Sequence, residues 1–123
     1  MRDNPETFWA WLAGFVDGDG CIGIYRQESK GVVYQAARLV IAQKDRAVLD
    51  HIVAAVGAGS VSKRGTTACS KATFGGTVMF HATFGSRATR EVCAKLLPYL
   101  VTDKKAKAQM VLDQPGLWKK SES

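Results

Sequence analysis

Two carboxylates, Asp17 and Asp19, stand two residues apart in the segment Leu12-Ala13-Gly14-Phe15-Val16-Asp17-Gly18-Asp19-Gly20. The apolar residues before them recur at helical spacing, so the acids fall where a helix ends, against the negative pole of its dipole. Acids there are locally unfavourable unless a cation joins them, and a hard divalent ion that takes oxygen ligands suits the pair. An EF-hand loop beginning at Asp17 would place Asp19 at its third position and Glu28 at its twelfth. It fails at the fifth, where Cys21 offers no oxygen, and at the sixth, where Ile22 replaces the glycine. A simple Gly/Asp turn explains the glycines but not paired acids beside Ala13, Gly14 and Gly18, whose small side chains let another backbone approach closely.

The elements that must position these acids are legible from periodicity. Asn4-Pro5-Glu6 opens a helix, with Asn4 as its cap, Pro5 at the first helical position and Glu6 at the positive end of the dipole. Phe8, Trp9, Trp11, Leu12, Phe15 and Val16 lie on more than one side of it, which predicts burial nearly all round, and Gly18-Asp19-Gly20 stops it. Residues 21–28 alternate, Ile22 and Ile24 against Cys21, Gly23, Tyr25 and Gln27, and a turn at Glu28-Ser29-Lys30-Gly31 leads into a second strand over 32–42. An amphipathic helix over 45–56 ends at Gly57, and a short strand runs from Gly59 to Arg64. Residues 65–76, rich in Gly, Thr, Ser and Ala, read as a loop or irregular hairpin. Strand alternation returns over 77–84, with Val78, Phe80, Ala82 and Phe84 on one face and Thr77, Met79, His81 and Thr83 on the other. Ser86 caps a helix reaching about Tyr99, and Thr102 a shorter one carrying Ala106, Met110 and Val111. The sum is an α+β domain over residues 1–113 with a mostly antiparallel sheet, followed by a polar tail over 114–123.

Composition narrows the partner. The 123 residues are 46% hydrophobic and 23% charged, ordinary for a folded domain, and no apolar run is long enough to span a membrane. The first residues lack the basic start and apolar stretch of a secretory signal, so neither membrane insertion nor export is expected. A net charge of +6 is unevenly held: residues 1–20 carry one basic and four acidic residues, a net of −3, and the remainder 16 basic and 7 acidic, a net of +9. Such a split suits a polyanion, whose condensed counterions are released when its phosphates are neutralised. Cys21, Cys69 and Cys93 are odd in number and far apart, which points to a reducing, intracellular compartment rather than to disulfides or a zinc site.

Residues 12–20 resemble the signature of the LAGLIDADG homing endonucleases, departing from it at Phe15, Val16 and Gly18. The element order is similar to that family's αββαββα core, and Ile41-Ala42-Gln43-Lys44, Leu97-Pro98-Tyr99-Leu100 and Thr102-Asp103-Lys104-Lys105 add to the likeness. The resemblance implies a site-specific, metal-dependent DNA endonuclease, encoded with a mobile intron or intein. Asp19 then corresponds to the metal-binding acid, and Gly18 to the position whose backbone carbonyl joins the coordination of Mg²⁺, or of Mn²⁺ or Ca²⁺ in its place. Gln43 corresponds to the residue orienting the nucleophilic water, Arg46 to a basic partner of that water, and Lys104 or Lys105 to the lysine near the scissile phosphate. Asp17 corresponds to an acid that supports the helix end.

The segment 12–20 occurs once, and 123 residues hold no second αββαββα unit, so the resemblance implies a homodimer joined through Ala13, Gly14, Asp17 and Gly18, on near-palindromic double-stranded DNA. An antiparallel saddle would then present Tyr25, Gln27, Tyr34, Arg38, Val40, Ser62, Arg64, Thr77, Met79 and His81 to the major groove. Lys30, Lys63, Lys71, Lys107, Lys119 and Lys120 suit phosphate contacts or solubility. The competing expectation is a family member that binds nucleic acid without cutting it, as an RNA maturase or a transcription regulator does.

Overall fold

The computed structural model describes residues 3–64 and 79–114. The expected loop over 65–76, Thr77, Val78, Cys69, Lys71 and most of the tail lie outside them. The element order is helix α1 (Glu6–Asp19), strands β1 (Gly20–Ser29) and β2 (Val32–Gln43), helix α2 (Arg46–Val56), strands β3 (Ser60–Arg64) and β4 (Met79–Phe84), and helix α3 (Ser86–Leu96). A 3-10 turn over Leu97–Tyr99 and helix α4 (Lys104–Asp113) follow. The described strands form one antiparallel sheet in the order β1-β2-β4-β3. Among the described residues no helix is long and apolar enough to cross a membrane.

The helices cover one face of the sheet. Trp9, Leu12, Ala13 and Val16 of α1, Leu49, Ile52 and Val56 of α2, and Val92, Cys93 and Leu96 of α3 pack with Ile22, Leu39, Ile41, Ala82 and Phe84 from the strands. Burial of so many aliphatic side chains, each contributing about 1.5–3 kcal/mol, is what holds α1 against the sheet. Cys93 sits in this core, and burial pushes its thiol up to about 12, so it stays an inert thiol at neutral pH. Cys21 is half-buried, and both thiols are free.

Several local expectations are corrected. Asn4 does not cap α1: its side-chain amide donates 2.8 Å to the carbonyl of Ala55, tying the chain start to α2, while Pro5 occupies the cap position. Burial of α1 is not all round, because Trp11 is 42% exposed and Gly14 and Gly18 face outward. Gly20, which follows α1, is extended rather than left-handed, and it is glycine for space: a Cβ there would meet Val16 Cγ1 at 2.8 Å and the Val16 carbonyl at 2.9 Å. Ser86 is not a cap either. Its hydroxyl accepts from the Ala37 N–H at 3.0 Å and donates to the Ala37 carbonyl at 3.3 Å, extending the ladder on β2 by one step beyond Phe84. The helix it begins stops at Leu96, and the following residues tighten into the 3-10 turn before Leu100.

Other expectations hold. Gly57 closes α2 in the left-handed region at φ 82°, and at the other end Asp45, which the sequence had not singled out, caps the helix by accepting from the Ala47 N–H. The β1–β2 hairpin turns through Lys30 and Gly31, both at positive φ, as the right-handed twist of the flanking strands favours. At the start of α4 Asp103 rather than Thr102 stands at the cap position, and the hydroxyl of Thr102, one residue before it, accepts from the Lys104 N–H.

Candidate active site

The junction between α1 and β1 leaves no linker, since the helix ends at Asp19 and the strand begins at Gly20. Register then fixes what lies beside it: Gly20 pairs with Ile41, so the end of β2 arrives next to the last turn of α1. Gln43 is the final residue of β2, and its Nε2 donates to Asp19 Oδ2 at 2.6 Å. Asp19 is exposed, so its carboxylate combines one fixed amide partner with access from outside.

Asp17, two residues back, is engaged within the chain. Its carboxylate accepts from the backbone N–H groups of Val101 and Thr102 at 3.0 and 3.1 Å and from the Thr102 hydroxyl. Burial pushes this carboxyl up, but the hydrogen bonds from Thr102 and Val101 and the nearby Lys104 charge outweigh it and hold the group below the usual carboxylate range. The same helix end receives Lys104, whose Nζ donates 3.0 Å to the backbone carbonyl of Asp17, one of the last-turn carbonyls that a helix leaves without intrahelical partners. Lys104, not the exposed Lys105, is therefore the lysine delivered to the α1 terminus.

The remaining site expectations divide. Arg46 is not brought to Asp19 by any contact; it pairs with Asp50 at 3.3 Å on the exposed side of α2 and lies over the Phe80 ring at 5.7 Å. Ala13 points into the chain's own core at 0% exposure, so it is not available to a second helix, and Asp17 is occupied as described. Gly14 and Gly18 do face outward into open space, with Trp11 at helical spacing from both. The signal missed in the sequence is the partnership of Asp17 with Val101 and Thr102, which no local pattern announces.

For a divalent cation the donor set is chemically suitable: an exposed carboxylate and the carbonyls of the Gly18 turn are hard oxygens at the negative end of a helix. Among the described residues no three His, Cys, Asp or Glu side chains gather to enclose an ion. The residues present thus suit a hard divalent cation bound by few side chains.

On the face away from the helices, the register puts the groove-facing candidates other than Thr77, which lies outside the described residues, at positions of one parity. Cys21, Gly23, Tyr25 and Gln27 pair with Val40, Arg38, Ala36 and Tyr34, Val40 pairs with Thr83, and His81 and Met79 pair with Ser62 and Arg64. Residues opposite one another in a sheet share a face, so the parity read from the sequence is the parity of the fold. Tyr25, Arg38 and Ser62 are exposed there and Val40 is half-buried. Met79 and His81 correct the expectation: they have the right parity but are only 8% and 3% exposed, so neither offers a free side chain to a base. Lys63 pairs with Phe80 and lies on the opposite face.

A family model described as LAGLIDADG endonuclease matches residues 12–109. The chain belongs to the LAGLIDADG endonuclease family. DNA endonuclease I-CvuI of Chlorella vulgaris is 38% identical over 114 residues, which is 89% of this chain and 64% of that protein. The crystal structure of the homing endonuclease I-CvuI with its target in the presence of Ca matches with a TM-score of 0.68 at 29% identity, covering 87% of this chain and 64% of that one. A complex of the same enzyme with the I-CreI target and Mg, its DNA uncleaved, matches at 0.69. The archaeal intron-encoded I-Vdi141I, complexed with DNA, shares the fold at a TM-score of 0.63 and 16% identity, over 92% of this chain and 74% of that one. This LAGLIDADG chain thus spans just under two-thirds of I-CvuI's length.

Proposed function

We propose that this LAGLIDADG protein is a site-specific DNA endonuclease that hydrolyses phosphodiester bonds with a divalent cation, working as a homodimer on a near-palindromic duplex. The observation that carries this is the end of α1, where an exposed Asp19 is held by Gln43 while Lys104 is fixed to the same helix terminus. I-CvuI, to which the chain is similar, is known with its target DNA and with Ca or Mg, which supports both the duplex and the cation.

A bound Mg²⁺ supplies charge neutralisation at the phosphate and a water that is nucleophilic at neutral pH. Asp19, and the backbone carbonyl of Gly18, are the residues that would hold such an ion. Gln43, already oriented by its bond to Asp19, has its amide oxygen and second N–H left to align a water. Lys104 places a positive charge where negative charge builds on the phosphate oxygens. Gly14 and Gly18 leave α1 an open face on which a second copy can pack closely, bringing two Asp19 carboxylates near one two-fold axis. The net of +9 beyond residue 20 suits a chain that grips phosphates.

The test is linearisation of a plasmid carrying the sequence that flanks the insertion site. Cutting that requires Mg²⁺ supports the proposal. A gel shift of that DNA with no cutting in Mg²⁺ or Mn²⁺ would replace it by the non-cleaving reading, a maturase or regulator.

A further inference from the structure

We propose that Gly23, Tyr25 and Arg38 form a pre-set reader of one guanine in each half of the target. The inference rests on the duplex-binding reading above and adds which base is read, by which atoms, and what holds them ready.

Gly23 pairs with Arg38, and Tyr25 with Ala36, so Tyr25 and Arg38 are diagonal neighbours on the face away from the helices. The Arg38 guanidinium carbon lies 5.1 Å from the centre of the Tyr25 ring, within range of attraction between a cation and the face of an aromatic ring. The ring reaches that position by leaning back along β1 over Gly23. A Cβ at Gly23 would stand 2.7 Å from the Tyr25 hydroxyl oxygen and 2.9 Å from the ring carbon that bears it. Gly23 is not among the glycines with positive φ, so its backbone does not demand glycine. What demands it is the space the phenol occupies. A glycine inside a strand weakens that strand, and here the space it leaves is filled by the Tyr25 ring.

The consequence is an exposed arginine whose rotamers are already restricted. Five N–H donors in a planar fork match the O6 and N7 acceptors that guanine alone pairs in the major groove, whereas the amino groups of adenine and cytosine oppose them. Holding the fork against a ring reduces the side-chain freedom lost on binding. Gly23 lies four residues beyond Asp19; at roughly 3.3 Å per strand residue and about 3.4 Å per base step, the guanine falls about four base pairs outward from the cut.

Selection of bound duplexes from a random palindromic pool, followed by sequencing, tests this with the full chain. Wild type is expected to retain a guanine at one position in each half, preferred about ten- to hundredfold. Arg38→Ala should lose that preference while the other selected positions persist, and Arg38→Lys, lacking the fork, should not restore it. Gly23→Ala, which need only push away the end of a flexible side chain, should keep the fold by circular dichroism yet blur the same position. Retention of the guanine in Arg38→Ala, or uniform weakening at all positions as a phosphate contact gives, overturns the inference but leaves the endonuclease reading standing. Absence of any selected sequence with wild type removes both.

Discussion

Asp17 and Asp19 have the same side chain, lie two residues apart on one helix end, and have opposite surroundings. Asp17 turns inward to three donors from residues 101 and 102, and its low pKa reflects them. Asp19 meets a single amide and is otherwise exposed. The difference teaches how a short helix terminus serves two ends at once. One acid locks α1 to the segment that carries Lys104, and the other keeps a carboxylate open to the outside beside Gln43.

If that division is right, variants of the two acids should fail in different assays. The largest effect is expected from Asp19→Asn: cutting of the plasmid falls below detection while folding and the gel shift persist, and residual cutting near the wild-type rate would remove Asp19 from the chemistry. Gln43→Ala should lower the single-turnover rate by about 10- to 100-fold, the usual cost of losing a group that orients a metal ligand, with little change in duplex affinity. Gly20→Ala should destabilise by about 1–3 kcal/mol in urea unfolding, because the added methyl presses on the backbone carbonyl of Val16 and strains the junction that carries both acids. Asp17→Ala leaves the Val101 and Thr102 donors without their acceptor; with the site open to water, a loss of about 1–2 kcal/mol is expected, read as a lower denaturation midpoint. The smallest effect concerns pH. A carboxyl whose folded pKa lies below its unfolded value contributes stability that is complete at neutral pH and disappears as pH falls below about 4. Comparison of wild type with Asp17→Asn across that range should show the acid limb flattened in the variant; parallel curves would mean that Asp17 is not held as its contacts imply.

The comparison also marks what a sequence reveals. Period-two alternation disclosed which strand residues share a face, because parity survives any register that keeps the core buried, and the 12–20 segment disclosed the acids themselves. Hidden were the contacts made at long range. Asp17 meets residues 84 and 85 positions away, and Ser86, which has every local mark of a cap, spends its hydroxyl on Ala37 instead. Ala13 looked like part of the small-residue face, but at helical pitch it rotates inward while Gly14 and Gly18 stay out. Met79 and His81 had the right parity, yet parity gives the direction of a side chain and not whether its neighbours leave it uncovered.

The unequal lengths of the strands have a mechanical consequence. β2 pairs with β1 from Val32 to Ile41, but with β4 only from Leu39 to Gln43, and Ser86 ends that support at Ala37. Among the described residues the hairpin between Tyr25 and Ala36 is a two-stranded ribbon cantilevered from a four-stranded base. Amide exchange should therefore be fast along the ribbon and slow at its root, the boundary falling beside Arg38. Slowing of the outer amides when duplex is added would report the ribbon seating in a groove, at a place where bending costs little and the buried core is not disturbed.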